Sequence, residues 1–370
     1  MDANTILPKL ALALIPGIGA NIARALMSRC DTAADIFRLK RRDLILIPGI
    51  GTLLADRLLH SGTFRRAEEE VRYLEKEHLY CHFLFDEDYP SRLAQCPDAP
   101  IVFFRRGELP GPGFRMLSVV GTRNPTSRGR QITHELIKGL AEKGHPVVIT
   151  SGLAYGIDVQ AHISALESGL KTIAVLGHGF HTLYPAVHRQ VANRIIDQGG
   201  LISDFFSNNP ADPKNFIRRN RIIAGLTEAT LVIESGIKGG AMVTAGMAIS
   251  YDRDVMVVPG RPDDPLSKGC NYLIRSNQAS LVETAEDIEY LLGWDQAPVK
   301  RLPPEPLLFE PLEPDVLTIY EMLSGPPLSV DQICRLAGFP VQRISFILLS
   351  LEFKGLIHAM PGKLYTRSEN

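Results

Sequence analysis

Between residues 116 and 284 the chain alternates short apolar runs with longer amphipathic stretches. The runs LSVVG, PVVITS, TIAVLG, LISDF, TLVIES, VMVVPG and SLVET are rich in β-branched residues and apolar at successive positions. An exposed strand would alternate polar and apolar residues, so these runs predict parallel strands buried on both faces. The stretches between them, 128–142, 158–168, 186–197, 215–226 and 242–251, carry helical spacing. Strand and helix in turn at this interval predict an α/β class with a doubly wound, mostly parallel sheet across 81–293. Within it, 81–115 reads as a connector holding a short strand or two.

Other periods govern the two ends. LALIPGIGANIARALMSR (12–29) recurs as LILIPGIGTLLADRLLHS (44–61), with Gly17 and Gly19 answered by Gly49 and Gly51. Each copy is an apolar segment, a P-G-I-G turn and a helix, and a charged helix over 66–80 follows. This predicts an all-α domain over 1–80. Residues 294–311 are proline-rich and read as a linker. In 312–370, DVLTIYEMLSG is an amphipathic helix, and SVDQICRLAGF opens on Ser329 as N-cap and ends near Gly338. PVQRISFILLSLEFKGLI is a longer helix and HAMPGKLYTR a hairpin, which together give the layout of a winged helix.

Composition narrows the function classes. The chain has 370 residues, 45% hydrophobic and 22% charged, with a formal net charge of −1. A polyanionic partner would therefore be met by a local patch, because there is no global basic field. The five cysteines are scattered without a C-x-x-C pair, which argues against a disulfide framework or a zinc finger. The N-terminus lacks the basic start and cleavage site of a signal peptide, and no run approaches the ~20 apolar residues of a membrane span. A cytoplasmic protein with no membrane partner is expected.

Ligands of an open α/β sheet collect beyond the C-terminal strand ends. There the chain reads GTRNPTSRG, SGLAYGIDVQAH and GHGFHTLYP. Glycine lets a backbone approach an oxyanion, helix N-termini offer free N–H groups, and Arg123 and Arg128 add bidentate charge. A phosphate ligand is expected. No G-x-G-x-x-G and no G-K-[ST] motif occurs, which disfavours a nicotinamide dinucleotide or ATP. FIRRNRIIAGL (216–226) places Arg218, Arg219, Asn220 and Arg221 on the crossover helix before TLVIES. Arg218 fits a solvated face or a binding face; Arg219 and Arg221, with Asn220, are expected to border the crevice and pair with two successive phosphates.

Three sharper chemistries find little support. His178, His181 and His188 lie close in sequence but without a carboxylate or cysteine at ligand spacing, so no metal is expected. Cys270 begins a helix without a partner base and reads as a packed small residue. Asp158 and His162, at i and i+4, fit an acid–base pair, or a loop-fixing carboxylate beside a structurally hydrogen-bonded histidine.

The segments SVVGTRNPTSRG, TSGLAYGIDVQAH, KTIAVLGHGFHTLYP, IRRNRIIAGL and PGRPDDPLSKGCNYLI, in this order and spacing, resemble the DNA-processing protein A family, also called DprA or Smf. The resemblance covers about 82–290 continuously and the flanks more loosely. It implies a Rossmann-like protein that binds single-stranded DNA, protects incoming strands in natural transformation and loads the RecA recombinase. It also implies a dimer or larger oligomer, no cofactor and no catalytic residue. By position, the implied contacts are Gly121, Thr122, Arg123 and Ser127, with Arg128 beside them; Gly152, Gly156, Asp158 and His162; and Gly177, Gly179, Tyr184 and Pro185. Arg219, Asn220 and Arg221 follow, then Lys268 and Asn271. Where the family shows a serine-glycine-serine turn, this chain has KGGAMVTA, keeping Gly240 and Thr244 and leaving Lys238 to compensate by charge.

The paired P-G-I-G units resemble helix–hairpin–helix motifs, whose glycine turns present N–H groups to a phosphate without reading bases. A plain helical packing module is the alternative. The longest C-terminal helix has only Arg343 and Lys354 as cations, which suits protein contact better than a major groove. The competing enzyme reading is a nucleotide phosphoribohydrolase on a related fold. Its P-G-G-x-G-T-x-x-E signature needs a glutamate three residues after Thr244, and none is present.

Overall fold

The computed structural model describes residues 3–60, 62–111, 113–295, 314–325, 328–354, 356–360 and 364–367. The chain divides into two compact units, Met1–Asp295 and Gln296–Asn370. Most of the expected linker lies outside the described residues, but its first residue does not. Trp294 is buried, and its indole Nε1 donates to Glu228 at 3.2 Å. The sheet domain therefore extends through Trp294 into the span expected to be linker.

All seven expected strands form. They are β3 (Arg115–Gly121), β4 (Val147–Ser151), β5 (Lys171–Val175), β6 (Gly200–Ser203), β7 (Ala229–Ile233), β8 (Asp254–Val257) and β9 (Ser280–Leu281). The connector supplies two more, β1 (Tyr80–Phe83) and β2 (Val102–Gly107). The order is β1-β2-β6-β5-β4-β3-β7-β8-β9. β3 to β9 pair in parallel, while β1 with β2 and β2 with β6 are antiparallel. The chain winds outward from β3 to β6, then crosses back through the helix Pro213–Leu226 to pair β7 against β3. The topological switch point thus lies between β3 and β7.

Both sheet faces are covered, as the unbroken apolar runs require. On one face Val120, Val148 and Ile173 pack with Ile222, Leu226, Ala241 and Ala248. On the other Leu117, Val119 and Ile149 pack with Leu136, Ile137, Ile157 and Ala161. The helices are capped by local chemistry. Thr126 accepts from Gly129 N–H ahead of Ser127–Glu142, and Asp212 accepts from Lys214 N–H ahead of Pro213–Leu226.

Among the described residues the N-terminal region folds as six helices between Ala3 and Lys76, of which Ala20–Met27 and Thr52–His60 follow the two P-G-I-G turns. Gly17 and Gly49 take φ of 96° and 85°, which explains glycine at the first turn position in both copies. The module shares one core with the sheet edge, where Leu10, Leu26 and Leu74 meet Phe83, Val102 and Phe104. No break in packing falls at residue 80.

The C-terminal unit comprises the helices Pro314–Met322, Val330–Ala337 and Val341–Phe353 with β10 (Leu328–Ser329), β11 (Ile357–Met360) and β12 (Leu364–Arg367). The strand order is β10-β12-β11. Ser329 and Gln332 form a capping box, and Gly338 ends the second helix at φ 71°. This is the expected winged helix. Its third helix buries Ile344, Ile347, Leu348 and Leu351 yet exposes Val341, Phe346 and Leu349.

Candidate nucleic-acid interface

The loops that follow β3, β4 and β5 meet at one rim of the sheet. Gly156, at φ 83°, opens the helix Ile157–Glu167, and Ile157 N–H donates to the Thr122 carbonyl at 3.1 Å. The glycines expected to admit an oxyanion instead admit protein. A Cβ at Gly121 would collide with the Ile233 carbonyl, at Gly156 with that of Thr122, and at Gly179 with that of Phe206. At Gly152 it would strike the Arg219 guanidinium, and at Gly177 the Phe216 ring. These five glycines lock the loops to one another.

The arginines of the crossover helix need the largest correction. Arg219 is only 4% exposed. Its Nη1 donates to the carbonyls of Gly152, at 2.7 Å, and Val175, tying the ends of β4 and β5 together. Burial pulls its pKa down to about 10, opposed by the nearby Asp158. Arg221 is buried as well and donates to Asp204 Oδ2 on a different side of the helix. Residues two apart on a helix do not share a face, so this pair does not meet two successive phosphates. Asn220 accepts from Arg219 Nε at 3.3 Å. Arg218 is exposed, bonds Asp204 at 3.2 Å and stands over Phe205.

Asp158 and His162 are turned inward. Burial raises the Asp158 carboxyl above the usual carboxylate range, against the pull of Arg219 and the Ala154 backbone. The Thr172 hydroxyl donates to the Ile149 carbonyl at 2.7 Å, so it accepts from His162 Nδ1–H, also at 2.7 Å. Burial drives His162 down to about 3. It is a neutral, structurally bonded histidine and does not reach a ligand. His178 and His188 serve the same rim. Tyr184 N–H donates to His178 Nε2 at 3.1 Å, and His188 Nδ1 bonds the Leu153 carbonyl at 2.9 Å.

What remains open at the rim is one cation among aromatic rings. Arg123 is exposed, pairs with no carboxylate among the described residues, and sits 5.9 Å from the Phe216 ring centroid. Tyr184 lies 5.6 Å from Phe216, and Tyr155 packs edge-on to His188 at 5.2 Å. Tyr155 and Tyr184 are 46% and 48% exposed, so flat apolar surface faces outward beside the guanidinium. Arg123, Tyr155, Tyr184, Pro185 and Phe216 line one shallow pocket floored by Arg219. Tyr155 and Phe216 escaped the sequence reading. The available signals were an aromatic between glycines in GLAYG and an aromatic one helical turn before Arg219.

The remaining expected contacts scatter. Thr122 is half-buried, and its hydroxyl accepts from Asn124 N–H at 3.3 Å. Ser127 is exposed, as is Arg128, which faces Glu135 at 3.6 Å. The N-terminus of their helix, expected to hold phosphate, is taken by Glu234, whose Oε2 accepts from Thr126 N–H at 2.8 Å. Lys238 is exposed on the loop after β7, and Lys268 is exposed at the start of the helix Lys268–Arg275 that follows β8. Gly240 has open space around it, whereas Thr244 is buried and its hydroxyl turns back to the Gly240 carbonyl at 3.4 Å. Asn271 clamps Gly260, accepting from its N–H at 3.2 Å and donating to its carbonyl at 2.9 Å. Thr244 and Asn271 are thus spent inside the fold.

Of the helical hairpins, the first, with Gly17 and Gly19, lines a cleft of about 800 Å³ shared with Asp204, Arg218 and Arg221. Its Pro16 carbonyl accepts from Arg57 at 3.0 Å. Gly49 backs onto the Ile22 side chain, and Gly51 has open space around it. Leu46 and Leu53 stand exposed beside this second turn.

Residues 80–293 match the DNA recombination-mediator protein A family, residues 303–363 the DprA winged helix domain, and residues 9–61 the SAM-like helix-hairpin-helix tandem. Protein Smf of Escherichia coli K12 is 37% identical over 305 residues, covering 80% of this chain and 79% of that protein. The structure of DNA processing protein A from Streptococcus pneumoniae matches with a TM-score of 0.62 at 30% identity, covering 76% of this chain and 95% of that one. A Helicobacter pylori structure that describes the unique single-stranded DNA binding mode of its DNA processing protein A matches at 0.52 and 25% identity. It covers 59% of this chain and 97% of that one.

Proposed function

The chain belongs to the DNA recombination-mediator protein A family, the DprA and Smf proteins, and on that footing we propose that it binds single-stranded DNA along the rim built from the β3, β4 and β5 loops. The observation that carries this is Arg123, without a carboxylate partner among the described residues, beside three aromatic rings. A base has a π-face for Tyr155, Tyr184 or Phe216, and its phosphate meets the guanidinium. Stacking contributes about 1–3 kcal/mol per base and tolerates any sequence. In a duplex those faces are covered by the stacked neighbouring base pairs, so single strands are preferred. Lys238 and Lys268 extend the basic edge past the switch point.

The site is one for binding, without catalysis. Asp158 and His162, the acid–base candidates, are buried within the fold, and the glutamate of the phosphoribohydrolase signature is missing. Following the family resemblance, the bound strand is protected and handed to the RecA recombinase by a dimer or larger oligomer during DNA processing in transformation. Protein contact falls to the winged helix, whose third helix exposes Phe346 and Leu349. No single described helix is long and apolar enough to cross a membrane, and a cytoplasmic setting suits this work. Binding of fluorescent oligo-dT against a duplex of equal length, across several salt concentrations, tests the reading. Equal affinity for both, or affinity indifferent to salt, refutes it.

A further inference from the structure

In a doubly wound sheet, the phosphate of a mononucleotide is held at the switch point, on the N-terminus of the helix that follows the first central strand. Here that helix is Ser127–Glu142, and the position beside it is filled by the chain itself. Glu234, at the end of β7, spans the switch point. Its Oε2 accepts from the Thr126 N–H at 2.8 Å, and its Oε1 accepts from the Thr126 hydroxyl. That hydroxyl in turn accepts from the Gly129 N–H at 3.0 Å, so helix donor, threonine and carboxylate form one relay. The Glu234 carbonyl is engaged too, accepting from Thr122 N–H at 2.8 Å.

Two further features show that the arrangement is built in. Glu234 has a left-handed backbone, φ 52°, a conformation disfavoured for a residue with a side chain. Gly129 leaves the space that the carboxylate occupies, because a Cβ there would overlap all three carboxyl atoms.

We propose that Glu234 is a specificity-determining residue, an internal phosphate mimic that closes the switch-point crevice to free nucleoside monophosphates. A carboxylate on those donors satisfies the N–H and O–H groups a phosphate would need and repels a second anion. The switch-point seat of the doubly wound sheet is thereby shut, and the open rim at Arg123 is left for a polymer. This inference stands independently of the single-stranded DNA reading, since it concerns a different seat.

The experiment measures AMP and inorganic phosphate binding by calorimetry to the full chain and to its Glu234→Ala and Glu234→Gln variants. Folding of each is checked by circular dichroism, and oligo-dT binding is run as a separate arm. Wild type should show no saturable AMP binding. Glu234→Ala should bind AMP saturably, at least tenfold more tightly than the upper bound that calorimetry sets for wild type, and Glu234→Gln, which keeps an acceptor but loses the charge, should show a smaller gain. Oligo-dT affinity should stay within threefold in both. Saturable AMP binding by wild type overturns the proposal, as does absence of any gain in whichever variant is folded. Loss of oligo-dT binding by wild type refutes the DNA reading and leaves the AMP comparison intact.

Discussion

Arg219 donates to the Gly152 carbonyl at 2.7 Å, from a guanidinium shut away beneath the pocket that Arg123 overlooks. The two arginines therefore do different work at one place. Arg219 holds the ends of β4 and β5 in register, and the exposed Arg123 is free to meet a ligand.

Replacing Arg219 with alanine should unfold the rim before it affects binding. Two strand-end carbonyls lose their charged donor and the buried Asp158 loses a nearby positive charge, and each buried carbonyl left unsatisfied costs about 1–3 kcal/mol. Urea denaturation should show that loss. A variant as stable as wild type would mean that the arginine does not tie the strands.

Arg123→Ala should give the opposite signature. With no carboxylate partner to strand, its unfolding free energy should stay within about 0.5 kcal/mol of wild type. Oligo-dT affinity should fall about equally for all sequences, and the slope of log K against log salt should shrink by ~0.7 for one lost phosphate contact. An unchanged slope would remove Arg123 from the DNA path.

Tyr184→Ala and Phe216→Ala separate stacking from charge. Each should weaken oligo-dT binding by about 1–3 kcal/mol while leaving the salt slope intact. Binding of an abasic oligonucleotide should be far less sensitive to either change, and equal losses with and without bases would place the rings outside the path.

His162 gives a pH dependence with a defined sign. Its folded pKa, about 3, lies below the ordinary value of 6.5, so the unfolded chain binds the extra proton. Stability should therefore rise with pH from about 3 to 6.5 and be lost as pH falls through that window. In His162→Gln the slope of unfolding free energy against pH should flatten by at most about 1.4 kcal/mol per unit there. Parallel slopes for the two proteins would show that the imidazole is not held neutral.

Much of this architecture is legible in one dimension. A strand buried on both faces has no polar face to keep, so its residues read as an unbroken apolar run. The IPGIG repeat is equally plain, because the left-handed backbone of Gly17 and Gly49 disfavours other residues. The helix start at Ser329 is visible because the cap lies one residue from the helix it serves. β1 and β2 are less distinct in the sequence, since an edge pair depends on distant partners such as Ile202 and Leu201.

Local composition also names the loops proposed to meet a ligand, and it counts Arg123 among their candidate cations. It leaves open which way a side chain points. Arg219 and Arg221 are alike in type and neighbourhood, yet a turn of roughly 200° along the helix sends one to the strand ends and the other to Asp204. The glycines of the rim and Asn271 have the residue types of a phosphate site and are used to hold loops together, while Thr244 turns its hydroxyl back into its own helix. Only packing assembles Tyr155, Tyr184 and Phe216 from three separate segments, and only packing brings Glu234 against Thr126, 108 residues away in sequence. Short-range backbone preferences and periodic burial are carried by neighbouring residues; the allocation of each polar group to solvent or to another part of the chain is fixed when the segments meet.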